Sequence, residues 1–194
     1  MRKANTVLSQ ISKVFHYRDR FTFKKLYIQY VRPHLEYAVP VWNPWLQRDI
    51  DLIEGVQKKA IRMISGLNSD SYHDRLKELN METLFDRRIR ADMVQVYKIL
   101  NHKDNVDHKH WFRTIGDANI RSTRLADCSS NLIRVKVSKS DLRSNFFSQR
   151  VIAKWNDLPT QVKEAPTVNS FKQRYNNYVQ DSGSEGQPEV DPPH

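Results

Sequence analysis

Apolar residues recur at helical spacing along most of the chain, so the pattern predicts a mainly helical protein. Val7, Ile11 and Val14 share one face near the N-terminus. Asp19 is a good N-cap for a second helix, which Pro33 is expected to end or kink because proline has no N–H to donate. The periodic pattern predicts further helices over 46–65, 71–79 and 82–100, and two more that begin near 140 and 167.

The start of the helix over 46–65 is predicted from Asn43 and Pro44, a favourable N-cap followed by a proline at the first helical position. Gly66 is the expected left-handed residue that stops this helix. The three prolines between residues 33 and 44 restrict the chain before it, which predicts a rigid connection.

Aromatic residues are concentrated around this connection. Trp42 and Trp45 have two readings: they stack on unpaired bases, or they act as hydrophobic plugs where helices meet. Tyr30 and Tyr37 follow a helical apolar stripe, so we expect them in the core and not on a base-stacking platform.

The hydrophobic period changes to two after residue 130. Ile133, Val135 and Val137 alternate with polar residues, which predicts a half-buried strand with a basic outer face. Residues 121–125 are its expected partner. The fold class is therefore mainly α, a multi-helix bundle with a short two-stranded β-ribbon near 121–137; a lone ribbon is marginal in water, so it must lie on the helices.

The last residues differ from the rest in composition. Residues 181–194 are rich in Gly, Pro and Ser, carry four acidic and no basic residues, and are predicted to be disordered. The sequence thus divides into a helical domain over 1–66, a helical region with a small β element over 67–180, and an acidic tail over 181–194. No apolar run approaches the roughly 18 to 20 residues needed to span a bilayer, so no membrane association is expected.

Charge suggests a partner. The chain of 194 residues has a net charge of +10. Residues 1–66 carry 12 Lys/Arg against 5 Asp/Glu, residues 113–180 carry the same numbers, and residues 67–112 are balanced. Such a distribution is typical of a protein that binds a phosphate backbone, although an inert basic surface would have the same composition.

The candidate phosphate contacts lie on two helices and on the predicted ribbon. On the helices the basic residues lie off the apolar stripe, and around the ribbon a strand face and a loop are expected to converge. The candidates are Lys24, Lys25, Arg32, Lys58, Lys59, Arg62, Arg121, Arg124, Arg134, Lys136, Lys139 and Arg143.

Nothing in the sequence makes up a complete catalytic site. Cys128 is the single cysteine, which excludes an intrachain disulfide framework and favours an intracellular setting, nuclear or cytoplasmic. His102, His108 and His110 invite a metal interpretation, but a zinc site needs about four well-spaced ligands, so no metal site is predicted. There is no Gly-rich phosphate loop and no sign of a small-molecule substrate.

Five segments in one colinear order closely resemble the C-terminal part of the polymerase polyprotein of non-LTR, LINE-type, jockey-like retrotransposons, and the resemblance covers about residues 3–178. The specific blocks are VRPHLEYA–VW–P and FFSQRV–WN–LP, since helical segments alone would show little. The segments are KANTVLSQISKVF, LYIQYVRPHLEYAVPVWNPW, DIDLIEGVQKKAIRMISGL, YHDRLKELNMETLFDRRIRADMVQVYKIL and FFSQRVIAKWNDLPTQVKEAPTVNSFKQR.

The resemblance implies that residues 1–66 match the thumb of a reverse transcriptase, and that the rest matches the region after the thumb. The palm of that family carries a Tyr-x-Asp-Asp strand, which is absent here, so we expect no polymerase activity from this chain. The parent enzyme would use Mg²⁺ in the missing palm, and this chain needs no cofactor. The expected partners are RNA, DNA or an RNA–DNA hybrid; the alternative is a vestigial or protein-interaction helical domain.

Overall fold

The computed structural model describes residues 1–114, 132–133 and 140–183. Over these ranges the protein is mainly helical, which confirms the mainly α part of the predicted fold class; they contain no strand beyond an isolated bridge, so the predicted two-stranded ribbon is not supported. The chain forms two compact units, the first Met1–Ala91 and the second beginning at Asp92. Every helix in the described ranges falls short of the length and hydropathy that crossing a bilayer requires.

The first unit is built from short and medium helices around one apolar core. The core takes one face of each helix, including Leu8, Phe23, Ile61 and Leu76. Its elements are α1 Arg2–Val14, α2 Arg20–Leu26, a π turn Tyr27–Val31, α3 Pro33–Glu36, α4 Val39–Trp42, α5 Gln47–Arg62, α6 Tyr72–Glu78 and α7 Leu84–Leu100.

Two local predictions are confirmed at α2. The Asp19 carboxylate accepts hydrogen bonds from the backbone N–H groups of Phe21 (3.0 Å) and Thr22 (2.8 Å), as an N-cap does. Before Pro33 the helix widens into the π turn, in which Arg32 N–H donates to the carbonyl of Tyr27. A wider turn accommodates the proline, which lacks a donor and whose ring crowds the preceding turn.

Two other predictions for this region are wrong. Helix α5 begins at Gln47 with Leu46 at the N-cap, so Asn43 and Pro44 end a separate short helix instead of starting this one. Tyr30 and Tyr37 are not core residues, since 55% and 82% of their surfaces are exposed.

The predicted helix stop at Gly66 is displaced. Gly66 has a positive φ of 76°, but α5 ends four residues earlier, at Arg62. A left-handed residue does terminate α6: Asn80 has a φ of 48°, and Met81 N–H donates to the carbonyl of Leu76 at 2.8 Å. This is the Schellman arrangement, in which Asn replaces the usual Gly.

A buried polar side chain ties the helices of the first unit together. Gln57 is fully buried, and its Oε1 accepts from the Tyr27 hydroxyl at 2.8 Å. Its Nε2 donates to the Tyr72 hydroxyl (3.0 Å) and to the backbone carbonyl of Glu82 (2.9 Å). A single amide therefore connects the π turn, α5, α6 and the segment before α7.

Glu54 extends this network by one turn of α5. Its carboxylate accepts the backbone N–H of Leu84 at 3.1 and 3.2 Å, at the start of α7, and also accepts the Tyr72 hydroxyl. Burial and the bond to this carboxylate raise the pKa of Tyr72, so the phenol remains a donor.

The second unit has its own core, which is unusually aromatic. Trp155, Phe171, Phe147 and Tyr97 are buried in it, and the Tyr97 and Phe171 rings stack at 4.5 Å. Besides the C-terminal part of α7, its elements are α8 His108–Trp111, α9 Asp141–Ser144, α10 Phe147–Asp157, α11 Thr160–Lys163 and α12 Val168–Gly183.

A buried ion pair and a side-chain amide that bonds to backbone stabilise the second unit. The Arg150 guanidinium makes two 3.0 Å bonds to the Asp92 carboxylate, which is buried. Asn156 accepts from Ile133 N–H at 3.0 Å and donates to Ile133 C=O at 2.9 Å, so its side chain imitates a neighbouring strand. Ile133 also forms an isolated antiparallel bridge with Thr114.

The remaining predictions concern the β-ribbon, the C-terminal tail and the boundary between the two units. Of the predicted ribbon near 121–137 they include residues 132 and 133 alone, and the one bridge there pairs Ile133 with Thr114 and not with 121–125. Helix α12 continues to Gly183, past the predicted start of the tail at 181, and 184–194 lie outside the described residues. The first compact unit includes residues 67–91, whereas the sequence division was placed at 66.

Candidate nucleic-acid interface

Two of the predicted phosphate contacts are occupied within the first unit. Lys24 Nζ donates to the backbone carbonyl of Leu79. Arg32 lies 3.7 Å from the Glu36 carboxylate, and burial together with the neighbouring Arg87 lowers the pKa of Arg32. Both side chains are half-buried, so they join α2 and the π turn to their surroundings.

The basic cluster at the start of α7 is also engaged in ion pairs. Arg87 binds the Glu36 carboxylate with both Nε and Nη2, a bidentate arrangement. Burial opposes its charge, but the bond and charge of Glu36 raise the pKa of Arg87 overall. Arg90 lies 2.6 Å from Glu82, which explains how cations are tolerated near a helix N-terminus.

Three other candidate phosphate contacts make no ion pair within the described residues. Lys25, Lys59 and Arg62 are exposed, and within the ranges that the structure describes none of them has an ion-pair partner. Lys58 differs from its neighbour: it is half-buried and its ammonium lies 5.3 Å from the centre of the Tyr72 ring. The face of α5 that carries Lys59 and Arg62 is therefore the one available to phosphates.

Sequence reasoning missed three cations on α1. Arg2, Lys3 and Lys13 are exposed, and α1 contains no acidic residue. Helix α1 packs against α5. The signal that identifies them was present in the sequence, since Asp19 is the sole acidic residue before Glu36.

The candidates of the second unit fall mostly outside the described residues. Arg143, on α9, is exposed. The other five lie outside the described residues, so the basic ribbon stays a prediction. These five are Arg121, Arg124, Arg134, Lys136 and Lys139.

Trp42 and Trp45 are half-exposed, so neither fills a core. The Trp42 indole N–H donates to the carbonyl of Tyr37, which fixes the ring against the turn between α3 and α4. Val41 and Leu46 are exposed beside them. The two tryptophans thus belong to an accessible apolar segment, and base stacking on them stays a prediction.

The three histidines considered as metal ligands, His102, His108 and His110, lie on and around α8. The rings of His102 and His108 meet edge to face at 5.0 Å, and His110 pairs with Asp107 at 3.2 Å. Among the described residues no three side chains of His, Cys, Asp or Glu are grouped as metal ligands.

Comparison with known proteins identifies one distant relative. An uncharacterized protein of Caenorhabditis elegans is 30% identical over 95 residues, which is 47% of this chain and 48% of that protein. The chain therefore spans about half the length of this relative. No protein-family model matches the chain, and no solved structure matches it.

Proposed function

We propose that this chain is a noncatalytic C-terminal segment of a non-LTR retrotransposon reverse transcriptase that binds the backbone of a template–primer duplex or of element RNA. The proposal starts from the resemblance of five colinear segments. The two specific blocks have clear structural roles. The first begins at the last residue of the π turn and forms α3 and α4. The second forms α10, with Trp155 in the core and the Asn156 side chain bonded to the backbone of Ile133.

The observation that carries the proposal is the set of exposed cations without an ion-pair partner in the described part of the first unit. Apart from Lys77 on α6, they lie on α2 and on the mutually packed helices α1 and α5. Phosphate contacts of this kind fix position and give salt-dependent affinity, but they do not read sequence. On these three helices the set is Arg2, Lys3, Lys13, Lys25, Arg48, Lys59 and Arg62.

The proposed role is to hold nucleic acid for a catalytic centre elsewhere. The Tyr-x-Asp-Asp sequence is absent from the 194 residues, so polymerisation by this chain alone would refute the proposal. The proposal retains the basic β-ribbon near 121–137 as a second contact and an intracellular, nuclear or cytoplasmic, location.

The test is fluorescence anisotropy of the full chain with a labelled RNA–DNA hybrid across about 50 to 200 mM salt, where each phosphate contact adds almost one unit to the slope of log affinity against log salt. Replacing Lys59 and Arg62 by Gln is expected to reduce that slope by about 2, one per lost contact. Lys24→Gln is the matched control, because the Lys24 ammonium is bound to Leu79 C=O.

Affinity independent of salt, or an equal loss of slope in Lys24→Gln, would refute the assignment of the interface to these exposed cations. Absence of binding at the lowest salt would refute nucleic-acid binding by the first unit altogether.

A second candidate, a protein-interaction domain, rests on a separate observation. Exposed apolar side chains follow one another through a short segment in Tyr37, Val41, Trp42, Trp45 and Leu46. Contiguous apolar surface of this kind marks protein interaction sites. Replacing both tryptophans by Ser distinguishes the two candidates: base stacking predicts weaker binding to a single strand, whereas a protein-interaction site predicts unchanged affinity.

A further inference from the structure

The second unit contains a cavity that no sequence argument identified. Its volume is about 500 Å³, within the range of small-molecule sites. It lies between the region of α8 and the segment that joins α9 to α10. Its walls combine two aromatic rings with charged and amide groups, namely Trp111, Phe146, Arg143, His110, Asp107 and Gln149.

The aromatic walls are accessible and held in place. Trp111 and Phe146 are 39% and 52% exposed, although neighbouring Phe112 and Phe147 are buried. The planes of the two exposed rings differ by 5°, with centroids 6.4 Å apart. The buried Phe147 ring meets Trp111 in a T-shaped contact with centroids 6.0 Å apart, which joins the indole to the core of the second unit.

Such an arrangement suits a flat aromatic ligand. Two exposed rings in nearly parallel planes give the cavity an aromatic lining against which a planar group can pack. Stacking of this kind tolerates any base, because every base has a π face.

The charged side chains that line the cavity differ in whether they are already bonded within the protein. Arg143 is exposed and has no ion-pair partner among the described residues, so its guanidinium is available to an anion. The Asp107 carboxylate already accepts Lys109 N–H at 3.0 Å, and it lies 3.2 Å from His110. The hydrogen bond from Lys109 lowers the pKa of Asp107, which is consistent with a structural role for this carboxylate at the start of α8.

We infer that this cavity binds one unpaired nucleotide of a single-stranded nucleic acid, with the base stacked against Trp111 and Phe146 and a phosphate on Arg143. The inference rests on the proposed nucleic-acid binding and adds to it a base-dependent contact in the second unit. The backbone contact is common to RNA and DNA, so both kinds of strand are bound.

Phe146→Ser is the informative variant. Phe146 is the N-cap residue of α10, and Ser is a preferred N-cap, so the substitution removes the ring without weakening the helix start. Leu142→Ser is the matched control: Leu142 is exposed on the adjacent helix α9 and does not line the cavity. Circular dichroism would confirm that both variants fold.

The binding assay uses the full chain with labelled oligo-uridylate, oligo-thymidylate and an abasic strand of equal length. Phe146→Ser is expected to weaken binding to both base-containing strands by about fivefold or more, the loss that accompanies one stacked base. Leu142→Ser should leave the affinity unchanged, and on the abasic strand Phe146→Ser should match the wild type. An equal loss in both variants, or a loss that persists on the abasic strand, would overturn the inference.

The phosphate contact is tested separately. Arg143→Gln should reduce the salt slope by about 0.7 on all three strands, the value for one phosphate contact on a single strand. Lys172→Gln, which removes an exposed cation of α12 that does not line the cavity, measures the effect of removing a remote charge. If the salt-dependent binding of the hybrid persists while Phe146→Ser and Arg143→Gln both match the wild type, the cavity inference fails and the proposed function stands. If the wild-type chain does not bind the hybrid but still binds single strands in a base-dependent way, the proposed duplex contact fails and the cavity inference stands.

Discussion

The Gln57 amide offers a direct test of how the first unit is held together. Replacing Gln57 by Leu preserves the approximate size of the side chain but removes both the acceptor of the Tyr27 hydroxyl and the donor to the Glu82 carbonyl. The Tyr72 hydroxyl retains its bond to Glu54. The substitution therefore leaves one buried hydroxyl and one backbone carbonyl without their partner.

The expected cost follows from these two groups. A buried polar group left without a partner costs about 1–3 kcal/mol, and the added apolar surface of Leu offsets part of the sum. We expect Gln57→Leu to lower the free energy of unfolding by about 2–4 kcal/mol. Gln47→Leu is the matched control on the same helix, because Gln47 is exposed and its bond to Asp51 is at the surface; a change below about 0.5 kcal/mol is expected there.

A double-mutant cycle separates the hydrogen bond from packing. Tyr27→Phe removes the hydroxyl that Gln57→Leu leaves unpaired, so the double variant should be less destabilised than the sum of the single variants, by about 1–2 kcal/mol. The measurement is urea unfolding of the full chain, followed by circular dichroism. Two results would refute the assignment of stability to this network: a double variant whose loss of unfolding free energy equals the sum of the two single losses, or equal losses for the Gln47 and Gln57 variants.

Two further predictions concern side chains that bond to backbone. Asn156→Leu leaves both polar groups of Ile133 without their partner, so it should cost about 2 kcal/mol or more in urea unfolding, whereas Asn169→Leu on the exposed face of α12 should not. Bonds from the first turn of α2 lower the pKa of Asp19, so its stabilisation is present above the unfolded-state pKa and is lost as pH falls through the folded-state value. Asp19→Asn keeps the cap without titrating; unfolding at pH 7 and pH 3 should therefore show a smaller pH dependence in the variant, and an unchanged dependence would contradict the argument.

Features that depend on neighbours within a few residues were predictable from the sequence alone. Helical periodicity gave the mainly α class, because the spacing of apolar residues has to match the turn of the helix that buries them. The Asp19 cap and the interruption at Pro33 were predicted for the same reason: a side chain that bonds its own first turn, and a residue without an N–H, act on the backbone locally.

Which side chains are available to a ligand depends on contacts between segments that are distant in sequence. Adjacent lysines at 58 and 59 look alike in sequence, yet Lys58 lies over the Tyr72 ring and Lys59 is exposed. Lys24 is occupied by a carbonyl 55 positions away, and Asn156 clasps a residue 23 positions away. The burial of a side chain and its hydrogen-bond partners depend on which distant segments fold against it. Hydrophobic periodicity does not indicate which segments these are. The cavity beside Trp111 has the same origin, since it needs rings brought together from 35 positions apart.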